Sequence, residues 1–404
     1  MSTAEQAPPT PGTVETSRRT EFVRRFLSGD LGFLRVILIL FVIWAIFYSQ
    51  NDRFLSAQNL TNLVLQITAI GLISVGVVLV LLLGEIDLSV GAVSGLCAAI
   101  MAVLQVKHGW NPYLAIAAGI GAGTVIGMLQ GSVFAYIGVP AFVVTLAGLL
   151  AWQGALLYVL GDTGTVNITN GKIVGLANTF YSETTSWIIG AVAVALYAGA
   201  GLWGYRRRVA AGLADQALRP IVFRIAVVAG VVIISIGIFN QDRGLPLAGL
   251  ILVAFVGGFQ YLISRTRYGR HIFALGGNIE AARRAGINIA TIRVTVFALA
   301  GTMAAIGGIM GASRLLAVNQ SSGGSDLLLL AIAGPVVAGT SLFGGRGTVW
   351  SALLGALVIG SISNGMDLLN YQSSVKFMVT GGVLLIAVII DALARRQRQA
   401  QGRV

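Results

Sequence analysis

Apolar residues in this chain come in blocks of about 20, separated by short polar stretches, a length that suits helices crossing a ~30 Å hydrocarbon layer rather than one layer of a soluble core. About twelve such blocks stand out, at 33–49, 63–83, 88–105, 112–137, 141–160, 187–205, 221–239, 245–264, 294–313, 327–343, 349–363 and 377–391. The pattern predicts an all-α, polytopic membrane helix bundle of about twelve transmembrane helices. Two runs look alike, 69–95 and 327–355, each an apolar helix, then a break of Gly with charge, then a Gly/Ala/Ser-rich helix. Both descend in the same direction, so they are expected to form a parallel internal repeat.

Arginine fixes the expected orientation. Arg18, Arg19, Arg24 and Arg25 precede the first block, Arg206 to Arg208 follow the sixth, Arg265, Arg267 and Arg270 follow the eighth, and Arg395, Arg396 and Arg398 follow the twelfth. With a cytoplasmic N-terminus every cluster falls inside, which makes the span number even and puts both termini in the cytoplasm. Arg35 and Arg224, at span edges, are expected to snorkel to that face. The expected organisation is a disordered tail over 1–30, a transmembrane domain over 31–393 with a cytoplasmic loop at 265–293, and a basic tail over 394–404. No small-residue cleavage site follows the first block, so it is expected to stay attached.

Composition sharpens this. Hydrophobic residues make up 56%, charged residues 10%, and mean hydropathy is +0.85. The formal charge of +12 follows the topology and implies no nucleic-acid ligand. Glycine, at 53 of 404 residues, suits close approach between helices. One cysteine, Cys97, in an apolar run, gives no support to disulfides or thiolate metal sites.

The stretch "GGNIEAARRAGINI" (276–289) is charged in a chain that avoids charge. Asn278 can cap a short helix, Glu280 sits in its first turn, Arg283 and Arg284 in its last, and Gly286 can take the left-handed stop. Glu280 can pair with Arg284 at i,i+4. About two turns, roughly 11 Å, cannot span a bilayer. Ala281, Ala282 and Ala285 suit close approach by another protein; the alternative is a helix resting on headgroups, although only Ile279 and Ile287 would anchor it.

"GEID" is the second constellation. Glu85 and Asp87 interrupt a long apolar stretch, and Asp87 with Ser89 suits a helix N-terminus. Either this is a tight turn, or a broken helix whose polar end faces a translocation path or a partner. The outer loop 161–186 is read either as an ordinary polar loop or as a cover over the path. Trp152, Gln153, Asn364 and Asp367 are the polar and aromatic groups best suited to meet a polar ligand, set against the alternative that neighbouring helices satisfy them.

The motifs "EAARRAGI", "GEIDLSVGA" (84–92), "GTSLFGGRGT" (339–348) and "SNGMDLL" (363–369) occur in order over most of 60–391. As a set they resemble the permease subunits of bacterial ATP-binding-cassette sugar importers, ribose and xylose branch. The resemblance implies that Glu280 to Gly286 form a coupling helix seated on an ATPase. It also implies partners: that ATPase, which binds the ATP and Mg, an extracytoplasmic sugar-binding protein, and a second permease copy as homodimer, all at the bacterial inner membrane. The spans near 187–205 and 221–239 resemble an insertion of xylose-type permeases, which makes a pentose, xylose foremost, the expected substrate. Leu327 to Leu330 stand where the family shows an acidic Glu-Leu-Asp run, which bears on the path or its gate. The chain has no GxxxxGK[ST] loop, so no cofactor is expected in it.

Two other classes were weighed. A secondary transporter or facilitator would need no ATPase, but ion-coupled carriers place carboxylates near the membrane centre, whereas Glu85, Asp87 and Asp391 are predicted near its edge. A membrane enzyme lacks equipment: His108 and His271 fall on opposite sides, and no HExxH motif occurs.

Overall fold

The computed structural model describes residues 32–212 and 218–400; the predicted tail over 1–30 and residues 401–404 lie outside them. Fifteen α-helices are described: α1 Gly32–Gln50, α2 Ala57–Leu82, α3 Val90–Val106, α4 Pro112–Ser132, α5 Ala141–Leu160, α6 Gly171–Asn178, α7 Glu183–Ala210, α8 Leu218–Asn240, α9 Leu247–Arg265, α10 Arg267–Gly277, α11 Ile279–Arg284, α12 Ile289–Leu315, α13 Ser325–Val337, α14 Trp350–Leu368 and α15 Ser373–Ala400. Eight are long and apolar enough to cross a membrane, and four shorter ones (α1, α3, α13 and α15) carry apolar stretches of 10–17 residues, so 8 + 4 gives the twelve blocks read from the sequence.

Two pairs of short strands lie at one end. β1 (Thr165–Asn167) pairs antiparallel with β4 (Ala317–Asn319), Val166 opposite Val318; β2 (Phe180–Tyr181) pairs with β3 (Leu245–Pro246). The stretch 161–186, expected as loop, thus holds two strands and α6. We call this the ribbon end, and the opposite end, which carries α10 and α11, the α11 end.

The core is built on α12, which packs against α2, α3 and α4. Glycine sets these crossings. Along α4, Gly131 faces Val294, Gly127 faces Phe297, Gly123 faces Gly301 and Gly119 faces Ile309, so the two helices run antiparallel with backbones in near contact. α2 meets α12 the same way, Gly76 against Ala300 and Ile73 against Gly307. In lipid, where apolar side chains gain little by leaving solvent, such close backbone packing is what holds helices together.

The same relations recur upside down. α14 lies antiparallel on α2 (Ala356 near Gly71, Gly360 near Ile67) as α4 lies on α12. α13 packs on α14 and α15 as α3 packs on α4 and α5. α3 and α13 are both short, both follow a non-helical segment (83–89 and 316–324), and they meet with Gly91 against the carbonyls of Gly323 and Gly324. α2–α5 therefore correspond to α12–α15 in inverted orientation. This corrects the parallel repeat expected from the sequence: the breaks near 84 and 344 do lie together, yet the counterpart of α3 is α13. Sequence similarity misled because both segments carry Gly for the same reason, close packing, without being equivalent.

The pair α7 and α8 packs mainly on itself, with α8 touching α2. Residues 213–217 of the connection between them lie outside the described residues.

Candidate functional site: a broken helix beside a short exposed helix

The expected short helix is present as α11. Asn278 caps it, its Oδ1 accepting from the Ala281 N–H at 2.9 Å, and Gly286 closes it in the left-handed region at φ 76°. Glu280 pairs with Arg283 at 3.0 Å. This corrects the expected Glu280–Arg284 pair: in so short a helix the i,i+3 partner lies on the side Glu280 already faces. Glu280, Ala281, Arg283, Arg284 and Gly286 are exposed, whereas Ala282 is buried at 2% and joins the core, so it faces the protein and not a partner.

The sequence missed α10. Its Ile272 and Leu275 are buried, and its last turn lies where the two breaks meet: Gly345 N–H donates to Leu82 C=O at 2.9 Å, and a Cβ on Gly276 would stand 2.7 Å from that Gly345 nitrogen. Its amphipathic pattern was hidden by the arginines read only as topology.

"GEID" is a break and not a tight turn. Glu85 stands beside Arg293 of α12, while Ser94 stands against Gly308. Between α2 and α3 the chain is non-helical over 83–89, and Ser89 and Val90, where α3 starts, are buried at 0% and 1%. α3 therefore begins well inside the bundle.

Asp87 opens it. Its Oδ1 accepts from the Ser89 N–H at 2.8 Å and the Ser89 hydroxyl at 2.7 Å, the pattern of a side chain turning the backbone into a helix. Ser89 Oγ is also 3.1 Å from Gln130 Oε1 on α4. One hydroxyl hydrogen cannot serve both oxygens. Gln130 Nε2 and Trp152 Nε1 have no acceptor as they stand, and a Cβ on Gly148 would sit 2.9 Å from the indole nitrogen and closer still to the amide nitrogen. Turning the Gln130 amide end for end lets its N–H donate to Ser89 Oγ. The result is a hydrogen-bonded row, Asp87–Ser89–Gln130, joining the break, α3 and α4, with the Trp152 indole of α5 beside the same Gly148. Asp87 and Trp152, picked separately from sequence, belong to one cluster; Gln130, the lone amide of its span, was overlooked.

At the α11 end of the break, Glu85 Oε1 lies 3.7 Å from the Arg293 guanidinium, with both side chains about a fifth exposed (23% and 20%). Burial pushes the Glu85 carboxyl above its ordinary range, and Arg293 acts against that shift. The Arg293 guanidinium also stacks 4.2 Å over the ring of Phe134, which lies in a π-helical turn (Val133–Ile137) at the end of α4 and packs on Phe297.

The other sequence candidates lie apart. Gln153 is exposed on α5, eight residues or about 12 Å beyond Thr145, whose hydroxyl reaches the Ile86 carbonyl at the break. Asn364 is buried at 3% and bonded amide to amide with Asn59, at 2.8 and 3.1 Å. Asp367, exposed at the ribbon end of α14, forms an ion pair with Lys376. Leu327 and Leu328 pack inward while Leu329 is exposed beside Asp326, an acidic residue of the half-helix α13 that the sequence reading passed over.

Comparison with known proteins places this geometry. The family model described as "Branched-chain amino acid transport system / permease component" matches residues 59–388. The xylose transport system permease protein of Escherichia coli (strain K12) is 37% identical over 362 residues, 90% of this chain and 91% of that protein. Its namesake in Haemophilus influenzae is 36% identical, covering 92% and 98%, and the ribose import permease protein of E. coli (strain K12) is 31% identical, covering 94% and 98%. No solved structure matches the chain.

Proposed function

The chain belongs to the permease-component family of branched-chain amino acid transport systems, and on that premise we propose that it is the membrane-spanning subunit of an ATP-driven importer for a monosaccharide, a pentose such as D-xylose. It is a multi-pass inner-membrane protein. The observation that carries the reading is α11: a capped, exposed helix too short to span, joined without slack to α10 and α12 at the end where both breaks meet. The relatives, named as xylose and ribose permeases, supply the substrate class.

In this reading a separate ATPase docks on the α11 end, which is cytoplasmic along with both termini. Glu280, Ala281, Arg283, Arg284 and Gly286 meet it, and ATP and magnesium are held there, outside this chain. A sugar-binding protein docks on the ribbon end. A second permease copy completes the path: Gln153, within α5, and Asp326, in the first turn of α13, are exposed polar groups on apolar helices, where facing lipid is costly, so a watery path between two copies suits them. The polar row Asp87–Ser89–Gln130 holds the half-helix that borders it.

The test is a mild-detergent pull-down from native membranes, with uptake of labelled D-xylose and D-ribose into vesicles. An ATPase should co-purify with the wild type and be lost with R284A and G286A, and uptake should require ATP with xylose preferred. Uptake without ATP, and no ATPase recovered, would replace the importer with a facilitator.

A further inference from the structure

We propose that Arg293 is the positioning residue through which a displacement of α11 reaches the broken helix, its guanidinium gripping Glu85 of the break and Phe134 of the π turn together. This rests on the importer reading for its purpose, and on geometry alone for the link itself.

Arg293 lies one turn inside α12, whose start is fixed by the Asn288 side chain accepting from Thr291 N–H at 3.1 Å. Between it and α11 stand only Ala285 to Asn288 and the remainder of that first turn. A shift of α11 therefore moves Arg293 with little slack. On its other side the guanidinium touches two irregular pieces of the bundle, the non-helical segment 83–89 and the π turn. Both can change shape without breaking a regular helix. The π turn ends on Gly138 at φ 83°, a position free to rotate. Beyond Glu85 the break runs to Asp87, whose row of hydrogen bonds reaches α4, so movement of Glu85 changes where α3 begins.

A partly exposed ion pair contributes little to stability, so Arg293→Gln should leave the fold intact. An ordinary ion pair explains neither the stacking on Phe134 nor the convergence of three elements on one side chain. Transmission requires a charged, planar group, and Lys supplies only the charge.

The experiment reconstitutes the permease with its ATPase and sugar-binding protein in liposomes and measures sugar taken up per ATP hydrolysed, for wild type, R293Q, R293K and E85Q. Amide hydrogen exchange is followed in parallel on the permease alone. R293Q should lower the uptake-to-hydrolysis ratio about three- to thirtyfold, the range of residue-level coupling effects, with melting unchanged. R293K should fall between, and E85Q should show the same sign. Exchange should rise in 83–90 and 133–138 while 279–284 keeps its wild-type rate. An unchanged ratio with unchanged exchange overturns the proposal, as does a parallel loss of uptake, hydrolysis and thermal stability, which would make Arg293 merely structural. If wild type shows no ATP-driven uptake, the importer reading falls, and the exchange result alone then decides whether Arg293 links α12 to the break.

Discussion

Replacing Gly123 by alanine should loosen the helix crossing at the centre of the bundle, and its size can be worked from the geometry. A Cβ there would lie 2.5 Å from the Gly301 carbonyl oxygen and 2.7 Å from Ala305 Cβ. An ordinary C···O approach is about 3.4 Å, so α4 and α12 must part by about 0.9 Å, because neither a carbonyl nor a Cβ can rotate away. A gap of that size forfeits about a quarter to a half of each contact's dispersion energy; over the order of twenty atom pairs at ~0.15 kcal/mol this is about 1 kcal/mol. Strain brings the cost to the usual overpacking range, about 1–3 kcal/mol. Against it stands the helix-propensity gain of Gly to Ala, at most about 1 kcal/mol. At Gly121, two residues away, exposed and with nothing within 4 Å of a new Cβ, only the gain operates. With an unfolding entropy of about 0.85 kcal/mol/K for 404 residues, G123A should therefore melt about 1–2 °C below wild type in detergent, and G121A at or slightly above it. The assay is tryptophan fluorescence on heating, checked by size-exclusion of the heated samples. If G123A melts level with G121A, the tight glycine crossing is not what holds α4 to α12.

Three further outcomes follow from named contacts. N364A leaves the Asn59 amide with one fewer buried partner, so it should cost about 1–3 kcal/mol in the same melting assay while the sugar preference of the surviving protein is unchanged. W152F keeps a ring but removes the indole N–H, so it should cost about 1 kcal/mol, and pairing it with Q130M should recover part of that loss since both polar groups are then gone; additive losses would refute the Gln130–Trp152 contact. G286A forces a side chain into φ 76° in open space, costing about 1–2 kcal/mol locally at the end of α11; ATPase co-purification should drop while the melting midpoint holds.

The existence and number of the spans were legible because partition into lipid is a local property: about 20 apolar residues in a row cross, whatever surrounds them. The caps of α11 were legible for the same reason, since Asn278 and Gly286 act on backbone only a few residues away. Even the open choice at "GEID" was correctly posed by a carboxylate two residues before a serine. The sequence could not decide which alternative holds, because that depends on Gly91 meeting Gly323 and on Ser94 meeting Gly308, over two hundred residues away. Nor could it show that Asn364 is pinned by Asn59, 305 residues distant, that Ala282 faces inward, or that Arg293 grips Glu85 and Phe134. A span that is apolar on every side carries no stripe to mark its inner face, so periodicity says nothing about what it touches. The 53 glycines announced close packing; which glycine meets which, and hence the inverted repeat and the half-helices it sets tip to tip, is decided only when the helices are brought together.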